Sequence, residues 1–497
     1  MEPRGLGDRL GGLAALVMVV LAVLISALVF NVSGNLVFPV SHKFNGREGA
    51  SLSKFKAHDD RRHARILKAT QNAVDMVLGG NGHPTQDGLY FAKLGIGNPS
   101  NDYYLQVDTG SDIFWVNCAE CGKDCPTSTK IQGVKLTLYD RNSSSTSEVV
   151  RCSDKFCTAY GEDHEMAKCN KPDDKCSYLI QYGDGSSTSG YFVKDEVQFQ
   201  KASGNFETST ISAPIIFGCG TNQSGLLNNP NVAVSGLLGF GNANITLLSQ
   251  LAAAGKVRNK FAHCLDNSKQ GGGIWAIGEV VEPKIKYTSP MVPNSLHYNL
   301  VLEKIEVGSD VVKLPTSGGG GGDVSDGSSY QNEAIFDSGT TLTLFPPELQ
   351  EQIVDKILSK EPGLQLYKTQ HDEFTCFDYS KNIDEKFPIV KFTFKNSASL
   401  MVYPHDYLFQ LDEGSWCHGW MKSQSGSSEP PVILLGDMIL SNKVVVYDLE
   451  QQVIGWADHN CSSSIKVKDD ESGSDYAVQY HNLASSDSSG LLGLFNF

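Results

Sequence analysis

From Gly88 onward the chain is written in short apolar and aromatic runs, separated by Gly, Asn, Asp and Ser. The first two runs cover 89–97 and 102–107, and similar ones recur at 177–182, 213–219, 284–287, 298–307, 333–336, 391–394, 432–435 and 443–448. Their lengths and their content of Val, Ile, Tyr and Phe predict strands. Helical periodicity is confined to 246–254 and 347–359, the latter opening on Pro347 and an acidic residue as helices often begin. Upstream the texture differs. Residues 35–84 carry Lys43, Arg47, Lys54, Lys56, Arg61, Arg62, Arg65 and Lys68, and the stretch 53–77 predicts a basic amphipathic helix. The glycine run at 318–322 fits no packed element and predicts a surface loop.

The extreme N-terminus adds a compartment. Arg4 and Arg9 precede an apolar run over 13–30, and Asn31, Ser33 and Gly34 follow it. This is the pattern of a secretory signal peptide over 1–34, or of an uncleaved signal anchor, since the apolar run is long. Either places the rest of the chain in an oxidising lumen, where cysteines pair. That decides between two uses of the cysteines. Cys118 and Cys121 have zinc-ligand spacing within the cluster Cys118, Cys121, Cys125, Cys152, Cys157, Cys169 and Cys176, but export favours disulfides for these and for Cys219, Cys264, Cys376, Cys417 and Cys461. No metal is expected. Asn142, Asn222, Asn244 and Asn460 open glycosylation triplets, which suits an exported protein.

A length of 497 residues suits two domains plus processing segments, and the net charge of −15 disfavours nucleic acid as a partner. The charge is uneven: residues 1–84 hold ten basic and six acidic side chains (+4), leaving 31 basic and 50 acidic (−19) for the rest. A basic head on an acidic body can dock on it, or can simply be a solvated segment.

Two segments carry the chemistry: Leu-Gln-Val-Asp108-Thr109-Gly110-Ser111 and Ala-Ile-Phe-Asp337-Ser338-Gly339-Thr340. An isolated Asp-Ser-Gly is usually only a turn. Here the same signature ends an apolar strand in each half of the chain, so a functional loop is repeated. Glycine lets the backbone approach a facing loop, and Ser or Thr hydroxyls can bond the carboxylates and fix their planes. Two carboxyls about 3 Å apart cannot both ionise, and so share a proton through the acidic range. One can then take a proton from an attacking water while the other donates to the scissile carbonyl.

On these motifs the chain resembles the pepsin-like aspartic proteases, over about 88–458. Residues 177–186, with Tyr182, Gly183 and Asp184, resemble the family's flap hairpin, and Trp115 resembles the tryptophan that supports the flap tyrosine. Residues 236–240 and 432–437 resemble the two apolar strands ending in glycine behind the catalytic loops. The cysteine-rich insertion between Asp108 and Tyr182 is similar to that of the plant nepenthesin-type branch, which includes membrane-linked members. The resemblance implies an all-β, bilobal fold with a cleft, and a secreted aspartic endopeptidase with Asp108 and Asp337 as its catalytic pair. It also implies an acid optimum, no cofactor, extended polypeptide substrates under the flap, and a monomer. It divides the chain into a signal peptide (1–34), a basic propeptide (35–84, ending between 73 and 88), an N-terminal lobe (85–282), a C-terminal lobe (283–461) and a polar tail (462–497). It suggests a Cys376–Cys417 bridge, with Cys219 or Cys264 joined to Cys461. Membrane-linked relatives end in a long apolar tail; here only 491–497 is apolar, short of the ~10–20 residues a lipid-anchor signal needs, which favours a soluble product over an anchored one. The rival is an inhibitor or binding protein on the same fold, and intact Asp108, Ser111, Tyr182, Asp337 and Thr340 weigh against it.

Overall fold

The computed structural model describes residues 71–483, apart from 85, 87, 132–133, 164–168, 232, 269, 316–331, 370–373 and 424–431. The expected signal peptide, most of the basic head, the glycine run and the apolar 491–497 lie outside the described residues.

Strands dominate, in a 15-stranded sheet, an eight-stranded sheet and two smaller ones of four and three strands. The same three-strand device appears in both halves. In the first, Gly236–Gly239 runs parallel to Asn101–Asp108, with Gly239 opposite Asp108, and antiparallel to Phe114–Asn117. In the second, Ile433–Leu435 runs parallel to Glu333–Phe336 and pairs with Thr343–Phe345 through Leu344 and Leu434. Gly236–Gly239 is buried along its whole length, which is why it reads as continuous apolar sequence rather than alternation. The strand it supports therefore ends at a fixed height, with its Asp at the tip.

Beneath these devices the large sheet joins the halves. Lys260–Leu265 pairs on one side with Gly273–Ile277 and on the other with Lys443–Asp448, which in turn pairs with Val453–Asp458. The apolar core follows the same line. Phe261 and Tyr447 stack face to face with centroids 4.4 Å apart, and Phe240, Trp275 and Tyr298 crowd around Phe261. Both predicted helices form, at Leu247–Ala253 and Pro347–Leu358, and the first is capped by Thr246, whose hydroxyl accepts the Ser249 N–H.

Three expectations of local structure need correction. The helix expected over 53–77 does not reach its end: Val74–Met76 is a strand between Gly273–Ile277 and Ser187–Gly204. Val74 and Met76 are buried there, and pairing with distant strands overrides local periodicity. Leu78–Asn81 joins the same sheet, paired with Leu89–Ile96. The polar tail is folded in part: Ile465–Asp469 and Ser474–Val478 form a three-stranded sheet with Glu279–Glu282 and bury Ile465, Val467 and Val478. Finally, the strand expected at 284–287 begins only at Tyr287, where pairing with Val453–Asp458 starts at Trp456.

Candidate active site

Asp108 ends its strand and Asp337 directly follows Glu333–Phe336, so the two parallel pairings described above deliver both carboxyls to one place. Each carboxyl is held by its own loop in the same way. The Gly110 N–H donates to Asp108 Oδ1 at 2.7 Å and the Ser111 hydroxyl to Oδ2; the Gly339 N–H donates to Asp337 Oδ1 at 2.8 Å and the Thr340 hydroxyl to Oδ2 at 2.7 Å. Thr109 and Ser338, grouped by sequence with the hydroxyls that grip the carboxylates, do something else. The Thr109 hydroxyl donates to the Phe336 carbonyl at 3.0 Å and accepts the Ser338 N–H at 2.9 Å. Ser338 reciprocates, donating to the Val107 carbonyl and accepting the Thr109 N–H, both at 3.2 Å. The two loops are thus clasped by four crossed bonds.

The glycines set the distance between the loops. A Cβ on Gly110 would lie 2.5 Å from Asp337 Oδ1, and one on Gly339 would lie 2.1 Å from Asp108 Oδ1. Each carboxyl occupies the space that the other loop's missing side chain leaves. Gln106 adds a further bridge, its amide donating to the Gly339 carbonyl at 3.1 Å.

Both carboxyls are buried, each 6% exposed. Burial and the negative charge of Asp337 push the Asp108 carboxyl up to about 8, against the downward pull of the Ser111 and Gly110 bonds. A third acid lies close by. Asp437, directly after the 432–436 run, is buried, and neither of its carboxyl oxygens has a hydrogen-bond partner among the described residues. Burial first, then the charges of Asp337 and Asp108, hold it well above the usual carboxylate range. The sequence showed Asp437 only as the end of an apolar motif; its signal was an acidic residue placed directly after a fully apolar run.

The hairpin 177–186 approaches this site at Tyr182, which lies within the electrostatic reach of Asp108 and whose hydroxyl accepts the Trp115 indole N–H at 2.8 Å. The pairing of Tyr182 with Trp115 expected from sequence is therefore formed. The Asp184 carboxylate accepts the Ser186 N–H and hydroxyl and closes the turn in which Gly185 takes a φ of +83°. Gly183 is exposed beside it.

Every cysteine is paired, which leaves no zinc-binding thiolate at Cys118 or Cys121. The bonds are Cys118–Cys219, Cys121–Cys125, Cys152–Cys169, Cys157–Cys176, Cys264–Cys461 and Cys376–Cys417. Between the two partners expected for Cys461, the structure selects Cys264. Asn142, Asn222, Asn244 and Asn460 are all exposed.

Comparison with known proteins places this arrangement. Residues 90–279 match the family model described as "Xylanase inhibitor N-terminal", and residues 297–458 match "Xylanase inhibitor C-terminal". The chain is 47% identical to Aspartic proteinase 36 of Arabidopsis thaliana, over 95% of this chain and 94% of the relative. It is 46% identical to Aspartic proteinase 39 of the same plant, over 94% and 93%. In fold it is similar to the solved structure titled "Crystal structure of edgp", with a TM-score of 0.61 at 18% identity, over 78% of this chain and 95% of the other.

Proposed function

The chain belongs to the pepsin-like aspartic proteinases of plants and is an aspartic-type endopeptidase, and from that premise we propose that Asp108 and Asp337 hydrolyse peptide bonds by sharing one proton. The observation that carries this reading is the crossed clasp, which holds two buried carboxyls against each other with matching hydrogen bonds. Such a pair keeps one proton between them and titrates as a unit. The ionised member takes a proton from water as the water oxygen attacks the scissile carbonyl carbon, and the protonated member donates to the carbonyl oxygen. The tetrahedral diol then collapses: the carbon–nitrogen bond breaks, a proton passes to the leaving amine, and the pair returns to its starting state. Ser111 and Thr340 keep the carboxyl planes fixed throughout, and burial strengthens each of these interactions.

Substrate would be an extended polypeptide held as a strand beneath Tyr182, with side chains in alternating pockets. The enzyme would be an exported, glycosylated monomer, made as a zymogen and active in acid. The rival that keeps the fold as an inhibitor or binding protein draws on the xylanase inhibitor descriptions of the two matching families.

Cleavage of denatured haemoglobin from pH 3 to 8, with and without pepstatin, separates these. Acid-optimal, pepstatin-blocked cleavage that disappears in Asp108→Asn supports the proposal. Near wild-type cleavage by that variant sinks the assignment of the pair, and no cleavage by the processed wild type favours the binding protein.

A further inference from the structure

The insertion between the first catalytic loop and the flap holds two disulfides that touch. Cys157 Sγ is 3.8 Å from Cys169 Sγ, and the sulfurs of Cys152, Cys157 and Cys169 lie within 4.8 Å of one another. Cys152 pairs with Cys169, and Cys157 with Cys176. Their exposure differs sharply. Cys157 and Cys176 are 2% and 0% exposed, whereas Cys152 and Cys169 are half-buried. A thiol in solution therefore meets the first bond and not the second.

The second bond sits at the root of the flap. Cys176 directly precedes the flap strand Ser177–Gln181, its N–H donates to the Val150 carbonyl at 2.9 Å, and its carbonyl accepts the Phe192 N–H at 2.8 Å. Cys157 lies on the helix Lys155–Asp163. From that helix Phe156 and Tyr160 each stand 5.0 Å from the Phe192 ring, and Phe192 stands 5.1 Å from Tyr178 on the flap strand. Tyr178 and Trp115 both flank Gly218, where a Cβ would lie 2.7 Å from the Tyr178 ring and 2.9 Å from the Trp115 Cβ, and Trp115 bonds Tyr182. Packed side chains of one apolar cluster, closed by the Trp115–Tyr182 hydrogen bond, join the stapled helix to the flap tyrosine.

We propose that Cys152–Cys169 is a thiol-exchange site for small thiols, and that exchange there is relayed to Cys157–Cys176 and frees the root of the flap. An external thiolate attacks Cys152 Sγ, forming a mixed disulfide; the Cys152–Cys169 bond breaks and its electron pair leaves on Cys169. The Cys169 thiolate attacks Cys157 Sγ, across the 3.8 Å contact, forming Cys157–Cys169. The Cys157–Cys176 bond breaks, and Cys176 leaves as a thiolate that takes a proton from water. One external thiol is consumed, one protein thiol appears, and there is no net oxidation. The helix is then no longer tied to the flap strand. The consequence for proteolysis rests on the role proposed for Tyr182, whereas the exchange itself does not.

The test exposes the full protein to reduced glutathione at pH 8, where an ordinary thiol with a pKa of about 8.5 is partly ionised. Alkylation then stops the reaction and peptide mass spectrometry maps the bonds. The expected product carries glutathione on Cys152, a Cys157–Cys169 link and an alkylated Cys176, and shows a KM raised several-fold at acid pH with kcat less affected. A Cys152→Ser, Cys169→Ser variant should label at Cys176 at least tenfold more slowly. The proposal is overturned if Cys157–Cys176 stays intact after Cys152–Cys169 opens, if it opens first, if neither bond reacts, or if the variant labels at the wild-type rate. Should that variant not fold, the wild-type map decides alone. The expected map with an unchanged KM would uphold the exchange and overturn its link to the flap.

Discussion

Gly110 and Gly339 are the residues at which a single methyl group matters most, because each faces the opposite carboxyl rather than open space. Gly339→Ala should leave the protein folded and lower kcat by about two orders of magnitude or more, since a shift of about 1 Å in reacting groups can cost that much; a peptide-cleavage assay alongside a melting curve checks both halves of the statement. Asp437 makes a different prediction. Its folded value is raised above the unfolded ~3.9, so the native state binds more protons than the unfolded chain. The stability linked to it is full below about pH 4 and is lost as the pH climbs towards the folded value. Asp108 acts in the same direction between about 4 and about 8. The melting temperature should therefore fall as pH rises from 4 to 8, and Asp437→Asn should flatten that fall. A melting series at stepped pH reads this directly; equal slopes in variant and wild type would refute it.

Among elements, those visible in the sequence were the ones whose meaning is local. The loops at 108–111 and 337–340 are tetrapeptides whose repetition announces their chemistry, the helix at 247–253 carries its own cap in Thr246, and the helix at 347–358 opens on Pro347. Val74–Met76 was hidden because its partners lie near residues 200 and 276, and nothing in 53–77 records them. The strand Ile465–Asp469 is obscured for another reason: its alternation of Ile, Lys, Val and Lys is a strand signal, but the surrounding Ser and Asp read as tail. Cysteine pairing was open because connectivity depends on which strands become neighbours. The folded tail carries its own prediction. Ending the chain after Ser464 strips Ile465, Val467, Val478 and Leu483 from buried sites and unpairs Glu279–Glu282. At about 1.5–3 kcal/mol for each large apolar side chain, the loss should be several kcal/mol, seen as a large drop in melting temperature or as failure to accumulate.

At the scale of the molecule, the two halves share one floor. Lys260–Leu265 from the first pairs with Lys443–Asp448 from the second, and Cys264–Cys461 closes a span of 197 residues across it. Replacing both cysteines by serine should destabilise the protein by up to about 5 kcal/mol, through the freedom regained by the unfolded chain. Denaturant melts of variant and wild type would measure it, and activity per folded molecule should be unchanged because the clasp does not involve this bond. Position along the chain therefore says little about proximity to the chemistry.

The clasp has one more consequence. Thr109 and Ser338 anchor to backbone across the divide rather than to their own loops, so the catalytic centre is itself a joint between two bodies. A ligand that wedges those bodies apart anywhere along the floor would inhibit without approaching the cleft. Its inhibition would not be relieved by adding substrate, and screens that score only occupancy of the groove would miss it.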